Sequence, residues 1–312
     1  MRRRVRRSAT ILPLFCLPFL LCFLPDAEAR MVFPQEVELI GELIFQNECS
    51  GKESKLLTWN EGEDFPSFGI GHFIWYPAGE KGPFHESFPM LMAFMQKSGV
   101  ELPEWFNSVP GKHAPWKNRE DFLKTVLAGE LDFLRDFLAQ TKISQAQFLI
   151  DRFRQAIPKI LETAPSSSRE QLRQKLFFLL NASGGLYPLV DYVNSSGEGT
   201  LETERYQGYG WGLLQVLEEM RMPADGQDSV AEFVKAAETV LQRRVDHSPP
   251  ERNEIRWLPG WKNRVRTYLT AQGPEGSKAV RALNGAPDEP PLSERTDLIN
   301  LDEIIPQAGI GR

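Results

Sequence analysis

Cysteine is scarce: three in 312 residues, with Cys16 and Cys22 inside the first thirty. Only Cys49 lies beyond that segment, which excludes an internal disulfide framework for the rest of the chain. A single small Cys of this kind reads as a packing residue rather than a nucleophile. The four histidines, His72, His85, His113 and His247, are scattered. Neither an H-E-x-x-H pattern nor a paired-cysteine spacing occurs, so the sequence predicts no metal site and no cofactor. An excess of positive charge is missing as well. With 36 Lys+Arg against 42 Asp+Glu the net charge is −6, and without residues 1–29, which hold five Arg and two acids, it is −9. Such a balance argues against a nucleic-acid partner. After Leu24 there is no long apolar run, so no membrane partner is expected once the first segment is removed.

That first segment has its own logic. Arg2, Arg3, Arg4, Arg6 and Arg7 make a basic start, Ile11 to Leu24 is almost wholly apolar, and Ala27-Glu28-Ala29 is a small-x-small cleavage site. Residues 1–29 therefore read as a secretory signal peptide, and the protein as periplasmic or secreted. Beyond it, 41% hydrophobic and 25% charged residues over the whole chain are ordinary for a globular protein. The oligomeric state is not legible.

Pro34 opens an apolar stripe at Val37, Ile40 and Ile44, widened by Leu39 and Leu43, which predicts a helix over 34–48. Leu56–Trp59, Ser67–Gly71 and His72–Tyr76 are strand-like and separated by turn residues. A three-stranded antiparallel meander is expected directly after the first helix. From Phe88 onward the pattern is helical. Leu123, Leu127, Leu131, Leu134 and Leu138 recur at three and four residues. Phe148–Leu161, Leu172–Leu180, Trp211–Met220, Val230–Val245 and Trp261–Leu269 continue in the same style. The expected class is α+β, mainly helical, as a domain over 30–272. Residues 273–312 read as a flexible tail in which Leu298–Ile305 docks as a short element.

Glu48 continues the Ile40–Ile44 stripe, so its carboxyl is expected to be buried beside a loop, and burial raises a carboxyl pKa. A carboxyl kept protonated near neutrality suits general-acid work on a glycosidic bond. Such chemistry uses a second carboxylate, about 6.5–9.5 Å away in an inverting mechanism. Glu61, Glu63 and Asp64 all fall in the turn that brings the first strand back, with Ser67 after them.

Glu48, then Leu56-Leu57-Thr58-Trp59-Asn60-Glu61, then Ser67-Phe68-Gly69-Ile70-Gly71-His72 resembles the phage-type lysozymes. Their E-x8-D-x5-T triad runs from the end of a first helix through a hairpin into a TIGIGH-like strand. Here the spacing is E-x12-E-x5-S, with four extra residues in the loop Cys49–Lys55. Leu258-Pro259-Gly260-Trp261-Lys262-Asn263-Arg264 is similar to the family's P-G-L-x-x-R-R segment, and Asp191-Tyr192-Val193-Asn194 to its D-F-x-F-N-x-G segment. The resemblance implies a lysozyme-like fold and cleavage of the N-acetylmuramic acid to N-acetylglucosamine bond of peptidoglycan. It implies Glu48 as acid, Glu61 as the carboxylate that orients water, and Ser67 as a holder of that water, Glu63 and Asp64 remaining alternatives to Glu61. It also puts Asn194 on the far wall of the cleft. Trp59, Trp75 and Tyr76 lie near the hairpin, where they are either sugar-facing or core. The acidic charge suits cell-wall maintenance better than attack on whole cells.

Two rivals remain open. A lytic transglycosylase uses the same acid without an activated water, and Tyr209-Gly210-Trp211-Gly212-Leu213-Leu214-Gln215, with Glu204 upstream, resembles that family's G-L-M-Q motif. A non-catalytic glycan-binding or scaffold protein keeps the fold without the chemistry. Arg243-Arg244 and Arg264-Arg266 read as solvated helix faces with a lesser role in contacting carboxylates.

Overall fold

The computed structural model describes residues 30–82, 84–109, 113–223, 228–271 and 298–299. Among them the chain forms a short strand β1 (Arg30–Met31) and then helix α1 (Pro34–Cys49), entered through Pro34, whose fixed φ suits a first turn. Ser50, at φ 54° in the left-handed region, ends it. One helical turn (Glu53–Leu56) leads into β2 (Leu57–Thr58), β3 (Ser67–Phe68) and β4 (Phe73–Ile74). These strands form the expected antiparallel meander in the order β2-β3-β4, with Thr58 opposite Ser67 and Ser67 opposite Ile74.

Helices dominate the rest of the chain: α2 (Phe88–Lys97), α3 (Glu104–Ser108), α4 (Arg119–Leu127), α5 (Asp132–Gln140), α6 (Lys142–Thr163), α7 (Arg169–Asn181) and α8 (Leu186–Ser196). A two-stranded hairpin, β5 (Arg205–Tyr206) and β6 (Tyr209–Gly210), interrupts them. Its turn pair Gln207-Gly208 has φ 52° and 84°, as a two-residue hairpin needs. Then come α9 (Leu213–Glu219), α10 (Ser229–His247) and α11 (Leu258–Thr270). β7 (Leu298–Ile299) pairs antiparallel with β1. The mainly helical α+β expectation therefore stands. The signal reading of residues 1–29 lies outside the described residues, as does the tail apart from Leu298–Ile299. Among the described residues no single helix is long and apolar enough to cross a membrane.

The leucine stripe expected over 123–138 is not one helix. Gly129, at φ 76°, breaks it into α4 and α5, and Leu127 is left 86% exposed at the break. The last helix begins earlier than the periodicity suggests, because Pro259 sits in its first turn.

α6 is the axis of the molecule, 22 residues and roughly 33 Å long. Its buried face, including Ala146, Leu149, Phe153, Ala156, Ile157 and Ile160, packs against α1, α2, α7 and α8. The absence of a side chain at Gly41 lets α1 approach closely: a Cβ there would stand 3.2 Å from that of Ala146. The apolar core runs continuously from Val32 to Ala271.

One polar residue on α6 fixes the meander to this axis. Gln145 is fully buried, accepts from Ile70 N at 2.8 Å and donates to Leu138 O at 2.7 Å. Gly69, at φ 69°, passes so close that a Cβ would collide with the Gln145 amide. Replacing Gln145 by Leu leaves two buried backbone groups unpaired, at roughly 1–3 kcal/mol each. Urea unfolding should show a loss in that range, and exchange of the Ile70 amide should accelerate more than amides of α10. An unchanged urea midpoint would remove Gln145 from this role.

Candidate functional site

Glu48 ends the buried stripe of α1 as its penultimate residue, and four parts of the chain meet at its carboxyl. From α11, Arg264 donates an Nη2 hydrogen bond to Glu48 Oε1 at 2.7 Å. From α8, Asn194 donates to the same oxygen at 3.4 Å and to Gly71 O at 3.2 Å. From the turn before β4, His72 brings Nδ1 to 3.5 Å from Glu48 Oε2. The glutamate keeps 15% of its side chain exposed.

Arg264 is shared. It forms a two-pronged ion pair with Asp191 of α8, Nε to Oδ2 at 2.8 Å and Nη2 to Oδ1 at 2.7 Å, while Tyr268 donates to Asp191 Oδ2 at 2.7 Å. Asp191 is wholly buried. Behind this pair, Asn47 donates to the hydroxyls of Tyr187 (2.7 Å) and Thr267 (3.3 Å), tying α1 to α8 and α11. Taken as ionised, Glu48, Arg264 and Asp191 sum to one negative charge.

Burial alone pushes the Glu48 pKa up, as the sequence suggested. The guanidinium of Arg264, a charged His72 and the hydrogen bonds from Arg264 and Asn194 outweigh it, and the net shift is downward. The expectation of a carboxyl protonated at rest is thus corrected: the partner arrives from 216 residues away in sequence. Arg264 is likewise no solvated face, whereas Arg266 pairs with Glu238 on the surface as expected.

The hairpin carboxylates separate into two kinds. Glu61 is exposed at the turn. Glu63 is half-buried, which pushes its pKa up against the Asn60 hydrogen bond (3.1 Å) and the influence of His72. His72 favours the charged form of both Glu48 and the half-buried Glu63. His72 holds a left-handed backbone, φ 47°, unusual for a residue with a side chain. Its Nε2 lies 3.7 Å from the Cys49 thiol, which burial pushes up to about 12, in keeping with a packing role.

The aromatic residues near the hairpin belong to the core, and the sugar-facing alternative gives way. Trp75 is 0% exposed among Phe68, Phe88 and Phe106. Trp59 is buried against Phe122 and donates to Glu63 O at 2.7 Å, so it shapes the hairpin from below. Tyr76 is buried with its hydroxyl on Phe84 O. Ser67, at 3% exposure in the central strand, is nearly closed to solvent.

The Gly-rich stretch before α9 also has a structural explanation. Gln215 accepts from Gly212 N and donates to Gly199 O, both at 3.1 Å, clamping the loop. Glu204, its pKa pushed up by burial, accepts from the Leu201 amide in the same loop. Arg244, expected on a solvated face, is instead held between the rings of Trp211 and Trp261 and bonded twice to the buried Glu254. Among the described residues no cluster of three or more His, Cys, Asp or Glu is placed to hold a metal ion.

Replacing Arg264 by Met strands two carboxylates and should destabilise by roughly 3–5 kcal/mol. Glu48→Gln is milder, since Asp191 retains its partner. Because the folded pKa of Glu48 is depressed below 4.5, its ionised form adds stability above that pH, and the contribution disappears as pH falls through the folded value. Urea midpoints of wild type and Glu48→Gln should therefore differ at pH 7 and draw together in acid as the pH falls through the folded value; a gap independent of pH would refute the ion pair. No family model matches this sequence, and no curated protein or solved structure matches it either.

Proposed function

We propose that the protein is a glycoside hydrolase of the lysozyme type that cuts peptidoglycan glycan strands outside the cytoplasm, in cell-wall maintenance. One observation carries the proposal. The three stretches in which the sequence resembles phage-type lysozymes, at Glu48, Asp191–Asn194 and Leu258–Arg264, converge on a single partly exposed carboxyl.

The chemistry rests on how the two oxygens of Glu48 are used. Oε1 is occupied by Arg264 and Asn194, while Oε2 faces His72 at 3.5 Å. At rest the group is ionised. A sugar ring covering its remaining exposure removes water, and desolvation, already the largest single influence, then favours the neutral acid. Arg264 opposes this, so the covering ring must remove enough water to outweigh both its charge and its hydrogen bond. His72 is positioned to pass the proton to Oε2, from which it goes to the glycosidic oxygen as that bond breaks. Glu63, with its proton affinity raised by burial, takes a proton from the attacking water and takes the place given to Glu61 by the family spacing. Ser67 supports the hairpin from within the sheet.

A second reading has one observation of its own. An ionised carboxylate paired with arginine is also what a structural salt bridge looks like, and on that reading the chain is a non-catalytic glycan-binding envelope protein.

Purified peptidoglycan incubated with the full chain and analysed by mass spectrometry separates these readings. Fragments with reducing ends are expected. Glu48→Gln and Glu63→Gln should each lower turnover by about 100-fold or more, the range of a lost general acid or base, while Glu61→Gln stays within about threefold of wild type. Anhydro-ended fragments would move the assignment to a lytic transglycosylase, and binding without cleavage would establish the scaffold reading.

A further inference from the structure

Two arginines are linked to Glu48, Arg264 directly and Arg152 through Asn194, and they are satisfied very differently. Arg264 has Asp191 and Glu48 as carboxylate partners. Arg152, on the face of α6 that packs against α8, is half-buried, and its hydrogen bond runs from Nη1 to the neutral Asn194 carbonyl at a long 3.4 Å. No carboxylate among the described residues lies within ion-pairing distance of it. Burial lowers its pKa, and the acid that opposes this effect is Glu198. Glu198, however, is engaged by Lys159 at 2.8 Å, two turns further along α6, and by Thr200. A guanidinium has five donors, and most of those on Arg152 are uncommitted.

The position of this cation matters as much as its lack of a partner. Asn194 connects it to the site: the carbonyl of that amide accepts from Arg152, and its NH2 group donates to Glu48 Oε1 and Gly71 O. The amide orientation is thereby fixed, with the arginine on one side and the carboxyl on the other. Arg264 is already shared between Glu48 and Asp191 and is not free to pair with a further anion. The chain as a whole, at −6, provides no compensating long-range attraction. An anionic ligand therefore needs a local cation, and a half-desolvated guanidinium with a planar fork of donors matches a carboxylate in two-pronged geometry.

We propose that Arg152, oriented by Asn194, is a recognition subsite for a carboxylate on the ligand that lies against Glu48. The inference rests on the reading of this cleft as a glycan site, and it narrows the substrate to sugars that bear a carboxylate in preference to neutral polymers. The carboxylate belongs either to the lactyl group of a muramic acid or to a peptide attached to it; the chemistry recognised is the same.

Binding of N-acetylmuramic acid and of N-acetylglucosamine to the full chain, measured by NMR titration, tests this. Wild type should prefer the acidic sugar. Arg152→Met should weaken the acidic sugar by about tenfold or more, as expected for a lost charge-assisted pair, and leave the neutral sugar within about twofold. Arg152→Lys, which keeps the charge without the fork, should fall between, and it decides the matter if the Met variant fails to fold. Equal weakening of both sugars, no weakening, or a wild type that prefers the neutral sugar overturns the lactyl source, and overturns the subsite altogether if peptide-bearing strands also bind Arg152→Met as well as wild type.

Glycan strands stripped of peptide identify the source of the carboxylate. Loss of their binding in Arg152→Met assigns the lactyl group, and loss confined to peptide-bearing strands assigns the peptide. Selective loss in a protein that cuts nothing keeps the subsite and removes the hydrolase. Cleavage that is indifferent to Arg152 does the reverse.

Discussion

The Arg264 guanidinium holds three helices to one point. It pairs with both oxygens of Asp191 inside α8 and reaches Glu48 at the end of α1, with Tyr268 of its own helix donating to Asp191 Oδ2 as well. Removing water from these groups is expensive, and a buried ion network is seldom a net gain in stability over apolar packing. What it provides here is position. An apolar replacement would fill the volume but leave the α1 carboxyl without a fixed orientation.

Around that point the molecule separates rigid support from exposed function. Gln145 anchors the Gly69–His72 turn from beneath, and Asn47 with Tyr187 and Thr267 closes the back of the site. Large aromatic residues under the hairpin contribute volume rather than contact surface. Glu48, His72, Glu63 and Arg152 each keep part of their side chains exposed.

Much of the local structure was legible in the sequence because it rests on short-range patterns. The 34–48 stripe, the meander and most helices are set by periodicity and turn residues, and the observed α1 differs from the expected helix by one residue. Glu48 was legible for the same reason. Its ionisation state was not, since that depends on an arginine 216 residues away whose own segment looked like a solvated face. The break at Gly129 was missed because the leucine spacing continues through it, although a left-handed glycine was the available signal. Trp75 and Tyr76 could be read either way from a strand pattern, as alternation does not say whether both faces are covered. Arg152 carried no signal at all, since nothing in a helical sequence reveals which cation lacks a counter-ion.

The order in which the charges appear along the chain has a consequence for assembly. Glu48 and Asp191 are both made before Arg264, so until the last helix docks they are like charges that must be brought together in a drying interior. Completion of the site is therefore tied to completion of the fold: the cation that pairs with both carboxylates lies on α11, after both of them in the chain.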